Sequence, residues 1–425
     1  MSLDAATRAR VLAGISRERL VDLTCAMVDI PSPTGHEADV ARFLVDTMRE
    51  AGLKAHLQDI GEGRYNAIGV LKGSGSGVNL LLNGHIDTSY SGKETVLSGG
   101  GYKTKSYIVE DEWIYGAGSN NMKSAIAGYV EAARAIKAAG VTLPGDVIIA
   151  GVSGEIETGA VDEFQGCDYA GHGIGTIHLL RHGLAADCAI IGEPTGFQVT
   201  PWHFGTVWVA FRTKGTMSHI AWMDRAVNAI DKSMIIYEAL KNEWIEPYRQ
   251  RNAYEGMLPN VSISAIRGGW PWRVSRVPVF CDIFMDVRLS PAMTIVELHE
   301  ELARFLAGLK KRDPGLDAEF EFYCAGPGTA IAKDSPVVTA ITAAHTEVFG
   351  KAPASGGVNY YSDAVHLNRY DVPTVNYGLS GRLRNGGDGF DPAEGEHTSI
   401  SDLVAGTKVY ALAALDIAGR RRSGV

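Results

Sequence analysis

Short apolar runs bounded by glycine recur through the first half of the chain: NAIGVL at 66–71, VNLLLNG at 78–84, DVIIAGVSG at 146–154 and DCAIIGE at 187–193. Their apolar positions are continuous rather than alternating, the pattern of strands buried on both faces. Helical patterns separate them. The clearest is MKSAIAGYVEAARAIKAAG at 122–140, with alanines at good helix positions and a glycine as the stop. Strands alternating with helices predict an α/β layer around a largely parallel sheet.

From about residue 202 the pattern changes. TVWVAFRTKG alternates, as a half-exposed antiparallel strand does. A helix, DRAVNAIDKSMIIYEALKNEW, leads to strands VSISAIRGG and VPVFCDIFMDVRL, then to a helix, TIVELHEELARFLAGLKKR, and a strand, AEFEFYC. That order, β-α-β-β-α-β, predicts a ferredoxin-like module. The chain then returns to helix, strand and helix. The organisation expected is an α/β domain over 1–201 and 326–425 with a small α+β domain inserted over 202–325.

With 425 residues, 45% hydrophobic and 21% charged, the composition is that of an ordinary globular protein with material for two or three domains. The net charge of −9 argues against nucleic-acid binding, and the RRR at 420–422 reads as a frayed, solvated tail. The five cysteines, Cys25, Cys167, Cys188, Cys281 and Cys324, are scattered and form no CxxC, so neither a disulfide framework nor a cysteine-only zinc site is expected. The N-terminus lacks a signal peptide's apolar stretch, and no window approaches 18 uninterrupted apolar residues. The expectation is a cytoplasmic protein that engages neither membrane nor nucleic acid.

Ligands in open α/β sheets bind outside the carboxyl ends of strands. Three such ends carry metal-type side chains here: His85 and Asp87 after LLLNG, Glu155 and Glu157 after GVSG, and Glu193 after AIIG. His397 stands before a predicted helix near the C-terminus. Imidazole and carboxylate are what a zinc or manganese site requires. Asp87, two residues after His85, is placed to hydrogen-bond the other imidazole nitrogen and fix its tautomer. Any one of these is ordinary; together they point to a metal centre.

The segments GHID, GSNNMKSAIAG, SGEIETG, GEPTG, GTMSHIAW with NAI, and the late EH occur in this order over nearly the whole chain. The sequence thereby resembles the metal-dependent aminoacylase and carboxypeptidase family, which includes acetylornithine deacetylase, succinyl-diaminopimelate desuccinylase and glutamate carboxypeptidase. The resemblance implies a zinc-peptidase-like α/β catalytic domain and a ferredoxin-like lid that dimerises. It implies that His85 and Glu193 bind a first metal, with Asp87 behind His85, and that His397 binds a second. His219 would reach from the lid, across a dimer, to polarise the scissile group.

Two positions depart from that pattern. Asn121 stands where the family has an aspartate bridging two metals, and a neutral amide screens two cations poorly. SGEIETG stands where the family has two adjacent glutamates, a general base and then a ligand of the second metal. With Glu155 as base, Ile156 occupies the ligand position; in the alternative register Glu157 is the ligand. The first register agrees with the loss of the bridge, and the two changes together imply one Mn²⁺ or Zn²⁺ per chain.

Other residues admit two readings. His178 and His182 either clamp a metal on one helix face or form a surface pair. GAGSNN resembles a fragment of a dinucleotide loop without the clean strand before it or the acid about 20 residues on. Arg288 is a candidate clamp for a substrate carboxylate or an ordinary lid ion pair. Ser275 stands where the family usually carries a substrate-contacting asparagine. Trp222, Trp270, Trp272, Tyr360 and Tyr361 fall near site motifs, as packing residues or as walls for a flat aromatic substrate. The functional expectation is a metal-dependent hydrolase of a carbon–nitrogen bond in a small carboxylate-bearing substrate, of N-acyl amino acid deacylase or dipeptidase type. The alternatives are an aromatic aminohydrolase similar to 5-nitroanthranilate aminohydrolase and a catalytically silent small-molecule binder.

Overall fold

The computed structural model describes residues 4–97, 99–379 and 393–422. In chain order these form α1 (Ala5–Ala13), α2 (Arg17–Val28), α3 (Ala38–Glu50), β1 (Lys54–Gly61), β2 (Arg64–Leu71), β3 (Leu80–His85), β4 (Tyr107–Val109), β5 (Trp113–Tyr115), α4 (Ser124–Ala138), β6 (Val147–Val152), α5 (Ile174–Arg181), β7 (Cys188–Ile191) and β8 (Val199–His203). Then come β9 (Gly205–Lys214), α6 (Ala229–Ala239), α7 (Ile245–Arg251), β10 (Val261–Gly268), β11 (Phe280–Leu289), α8 (Ile295–Arg312), β12 (Asp317–Gly326) and β13 (Thr329–Ala330). The chain closes with α9 (Pro336–Phe349), β14 (Ser355–Val358), α10 (Ala364–Arg369), β15 (Thr374–Asn376), β16 (His397–Ser399) and α11 (Ile400–Ala418).

Two compact units result. One comprises residues 1–201, 331–356 and 362–425; the other comprises 202–330 and 357–361. The second crossing lies after Ala330, where the sequence reading places it after 325. Thr329 and Ala330 pair with His203 and Trp202, which keeps them with the inserted unit.

The main sheet of the first unit runs β1-β2-β6-β3-β7-β15-β8. Its centre, β6-β3-β7-β15, is parallel, whereas β1-β2, β2-β6 and β15-β8 are antiparallel, so the sheet is mixed rather than largely parallel. Every residue of β3, β6 and β7 is buried, as continuous apolar runs require. Helix α4 is buried along almost its whole length and packs on α11, its small side chains allowing close approach. Gly84 of β3 serves the same packing, because a Cβ there would meet Met122 Cε at 2.7 Å and Ile126 Cγ1 at 2.9 Å. The arginines near the C-terminus are not a frayed tail: Val78 N–H donates to the Arg420 carbonyl, Arg422 N–H to the Ser76 carbonyl, and Arg422 pairs with Asp187 at 2.6 Å.

The second unit is a four-stranded antiparallel sheet in the order β10-β11-β9-β12, the strand order of a ferredoxin-like module. It has its own core, built by Val207, Val209 and Phe211 of β9, Ile236 and Leu240, and Leu298, Leu302, Leu306 and Leu309 of α8. Thr294 and Glu297 close a capping box at the start of α8. No helix among the described residues is long and apolar enough to cross a membrane.

Candidate active site

Strands β6, β3 and β7 are neighbours and parallel, so their carboxyl ends share one edge of the sheet. His85 is the last residue of β3, Glu155 follows β6 and Glu193 follows β7. Their side chains converge: His85 Nε2 lies 3.9 Å from Glu155 Oε2 and 3.8 Å from Glu193 Oε1. One donor atom from each of the three lies within 4.8 Å of the others, and all three residues are buried. Glu157 is half-buried and stands outside this cluster.

Asp87 orders the cluster differently from the sequence expectation. Its backbone carbonyl, not its carboxylate, accepts the His85 Nδ1 hydrogen at 2.9 Å; the carboxylate stays 3.6 Å from that nitrogen. The carboxylate is drawn instead to two main-chain donors. Oδ1 accepts from Glu155 N–H and Oδ2 from Ile156 N–H, each at 3.1 Å, and Thr34 Oγ1 donates to Oδ2 at 2.9 Å. Asp87 therefore holds the main chain that carries Glu155, while the tautomer of His85 is set by a peptide oxygen.

The electrostatics call for a cation. Burial, together with the charge of Glu193, pushes the Glu155 carboxyl well above the usual range, and burial raises Glu193 likewise. For His85, burial opposes the charged ring, but Glu193 and Asp87 outweigh it and the net direction is upward. Glu193 Oε1 is buried and has no hydrogen-bond partner among the described residues. Two buried carboxylates with an orphaned oxygen, beside an imidazole whose Nδ1 is committed elsewhere, form a donor set that fits a divalent ion.

Asn121 joins this set. It lies on the turn before α4, and its Oδ1 is 2.9 Å from His85 Nε2. The turn begins at Gly118, whose φ of +84° suits glycine. His397 begins β16, pairs with Tyr115 of β5, stacks on the Tyr115 ring at 4.9 Å, and donates from Nδ1 to the Gly395 carbonyl at 2.9 Å. It is buried but outside the three-residue cluster.

Two acids had no role in the sequence reading. Glu396 accepts hydrogen bonds from the main-chain N–H groups of Gly118, Asn120 and Asn121 at 2.7, 2.9 and 2.6 Å. Asp363 is fully buried; burial pushes its carboxyl up to about 7 against the hydrogen bond from Thr176 Oγ1 at 2.5 Å, with Glu193 and Asp87 adding to the rise. Thr176 in turn accepts from Asn83 Nδ2 at 3.1 Å. Glu396 was within reach of the sequence, as the neighbour of a candidate ligand in the EH motif. Nothing in the pattern SDA at 362–364 marks Asp363 as buried.

The remaining candidates lie in the second unit or on the surface. His219 is half-buried, and its Nδ1 accepts from Ala221 N–H at 3.1 Å, which leaves the neutral ring's proton on Nε2. Trp222 stands edge-on to it, 5.8 Å away. Ser275 is exposed and contributes its carbonyl to Ile220 N–H rather than a placed side chain. Arg288 is paired with Asp286 at 2.9 Å. Tyr360 and Tyr361 belong to the same unit, where Tyr361 packs on Gly326. Trp270 and Trp272 pack 6.2 Å apart, with Trp272 mostly exposed. His178 and His182 stack at 3.7 Å with His182 Nδ1 on the His178 carbonyl, a surface pair rather than a metal clamp.

Comparison with known proteins accords with this arrangement. The chain is 28% identical over 370 residues to an acetylornithine deacetylase of Photorhabdus laumondii subsp. laumondii, covering 84% of this chain and 86% of that protein. In fold it resembles the di-peptidase Dug1p of Saccharomyces cerevisiae, with a TM-score of 0.76 at 14% identity over 98% of this chain and 99% of that one. It also resembles the Bacillus subtilis YXEP protein, a dinuclear metal-binding peptidase, with a TM-score of 0.65 at 15% identity over 94% and 97%. The model of peptidase family M20/M25/M40 matches residues 81–416, a span that holds every member of the buried cluster, and the chain belongs to that family of metal-dependent hydrolases acting on carbon–nitrogen bonds.

Proposed function

We propose that this chain hydrolyses an N-acyl amino acid or a dipeptide with one divalent ion, Mn²⁺ or Zn²⁺, held by His85 Nε2, Glu193 and the Asn121 amide oxygen. The observation that carries the reading is the buried convergence of His85, Glu155 and Glu193, with a neutral amide oxygen rather than a carboxylate against His85. A bound divalent ion supplies Lewis acidity and lowers the pKa of water. Glu155 takes a proton from the attacking water and returns it to the departing nitrogen. Asp87 fixes the main chain of Glu155 and Ile156 and thereby aims that carboxylate.

The Ile156 side chain offers no donor atom, which supports a single ion. The family resemblance supports a homodimer joined through the inserted unit, in which His219 serves the partner subunit's site. With its Nδ1 occupied, His219 carries a donor on Nε2 suited to the negative charge that develops on the scissile carbonyl oxygen.

The test is turnover by metal-stripped protein reloaded with MnCl₂ or ZnCl₂, offered N-acetyl amino acids, dipeptides and aminoaryl acids. Amino-acid release that needs metal and disappears in Glu155→Gln is the expected result. Ammonia from aminoaryl acids without amino-acid release would replace the reading with the aromatic aminohydrolase. Tight metal binding without any turnover would leave a binding protein.

A further inference from the structure

Among the described residues, the hydrogen bonds of the Glu396 carboxylate all come from main-chain donors. Oε2 takes the Gly118 N–H, and Oε1 takes those of Asn120 and Asn121. Charge-assisted bonds of this kind are about twice as strong as neutral ones, and three on one group hold the turn from Gly118 to Asn121 in a single shape. The turn needs its glycine at 118, where a Cβ would meet Thr88 Cγ2 at 2.9 Å. The third donor, the N–H of Asn121, belongs to the residue whose side-chain oxygen faces His85 Nε2. The residue after Glu396 is His397, fixed in turn by its hydrogen bond to Gly395 and its stacking on Tyr115. One carboxylate thus joins two site segments 275 positions apart in the chain.

We infer that Glu396 is a positioning residue of the metal site: it aims the Asn121 amide oxygen at the ion. This inference rests on the metal reading above. An aspartate at 121 would be drawn to a cation by its charge wherever the turn left it. A neutral amide is not, so its geometry must be imposed by the main chain that carries it. With no charge at 121, the chain places a buried carboxylate directly behind that residue.

Glu396→Gln has nearly the same shape but one acceptor oxygen, so it keeps either the Gly118 bond or the Asn120–Asn121 pair. The protein is stripped of metal and titrated calorimetrically with MnCl₂, and the Mn²⁺ electron paramagnetic resonance spectrum is recorded. Glu396→Gln should bind Mn²⁺ about 10–100-fold more weakly, with a changed spectrum. Asp146→Asn is the control, because Asp146 holds Lys72 Nζ and Gly73 N–H at the opposite end of β6. It should lower the melting temperature and leave Mn²⁺ affinity alone. Wild-type affinity and spectrum in Glu396→Gln would overturn the inference.

Hydrogen exchange on the unaltered, metal-free chain gives an independent measure should Glu396→Gln not fold. The amides of Gly118, Asn120 and Asn121 should be protected, and exchange at open-loop rates would equally overturn it. Protected amides in a wild-type chain that binds no Mn²⁺ would leave Glu396 a loop clamp and place the failure in the metal reading.

Discussion

Two glutamates, Glu155 and Glu157, flank Ile156, and their surroundings separate them. Glu155 is buried against His85 and Glu193, on main chain held by Asp87, whereas Glu157 is half-exposed. Replacing a general base by its amide removes about 10²–10⁴-fold of rate. Glu155→Gln should fall in that range with its metal retained, and Glu157→Gln should be much milder; steady-state kinetics giving the reverse order would move the site register by two residues. Asp363 makes a second prediction. Its folded carboxyl lies at about 7 against an ordinary 3.8, so the folded, metal-free chain keeps a proton that the unfolded chain releases. The stability this supplies is complete below 3.8 and is lost as pH rises towards about 7, by at most about 1.4 kcal/mol per pH unit. Asp363→Asn has no such proton to lose. In melts of metal-stripped protein the variant should match wild type near pH 4 and become the more stable of the two by pH 8; a gap that narrows instead would mean that the Asp363 anion is stabilised by Thr176 and His85. His85 and Glu193 were legible because strand ends advertise such residues in sequence. Asp363 was not, because its chemistry comes from burial, and the bond to Thr176 joins positions 187 apart in the chain.

The strands that carry the site approach one another more closely than side chains would allow. Gly378 follows β15, and a Cβ there would fall 2.2 Å from the Glu193 carbonyl oxygen and 2.3 Å from that of Gly192. Those neighbours are backbone and cannot rotate away. Gly378→Ala must part β15 from the end of β7, costing about 1–3 kcal/mol and displacing Glu193. A lower melting temperature together with weaker metal binding is expected, and a variant that melts lower with unchanged affinity would show that Glu193 is placed independently of β15. The central strands were readable because burial on both faces leaves uninterrupted apolar runs. The antiparallel edge was not. In β1, KAHLQDIG, exposed and half-exposed positions mix polar with apolar residues, and its pairing with β2 rests on main-chain bonds and a turn of glycines around Glu62. Likewise the helix expected from Met122 begins at Ser124, because the preceding residues are given over to the turn that Glu396 holds.

At the level of the molecule, the altered ligands predict how many ions one chain holds. Metal analysis of the purified enzyme at full activity should find about one tight divalent ion per chain, since Asn121 carries no charge to bridge two cations and Ile156 cannot ligate; two tight ions would end the single-ion reading. Asn121→Asp should raise affinity for a second ion if the missing bridge is the principal defect. The inserted unit sets the last expectation. His219 touches developing charge rather than metal in the proposed scheme, so His219→Ala should lower kcat far more than it weakens metal binding. If the histidine serves the partner subunit, its loss and the loss of Glu155 fall in different sites of a mixed dimer. A dimer of one His219→Ala chain and one Glu155→Gln chain then contains one site with an intact glutamate and an intact histidine, and one site with neither. Mixing the two inactive variants should therefore restore activity, to at most half the wild-type value per heterodimer. Subunit exchange, followed by a tag on one variant, must be seen to occur. Exchange without recovered activity would place His219 at the site of its own chain or outside catalysis altogether.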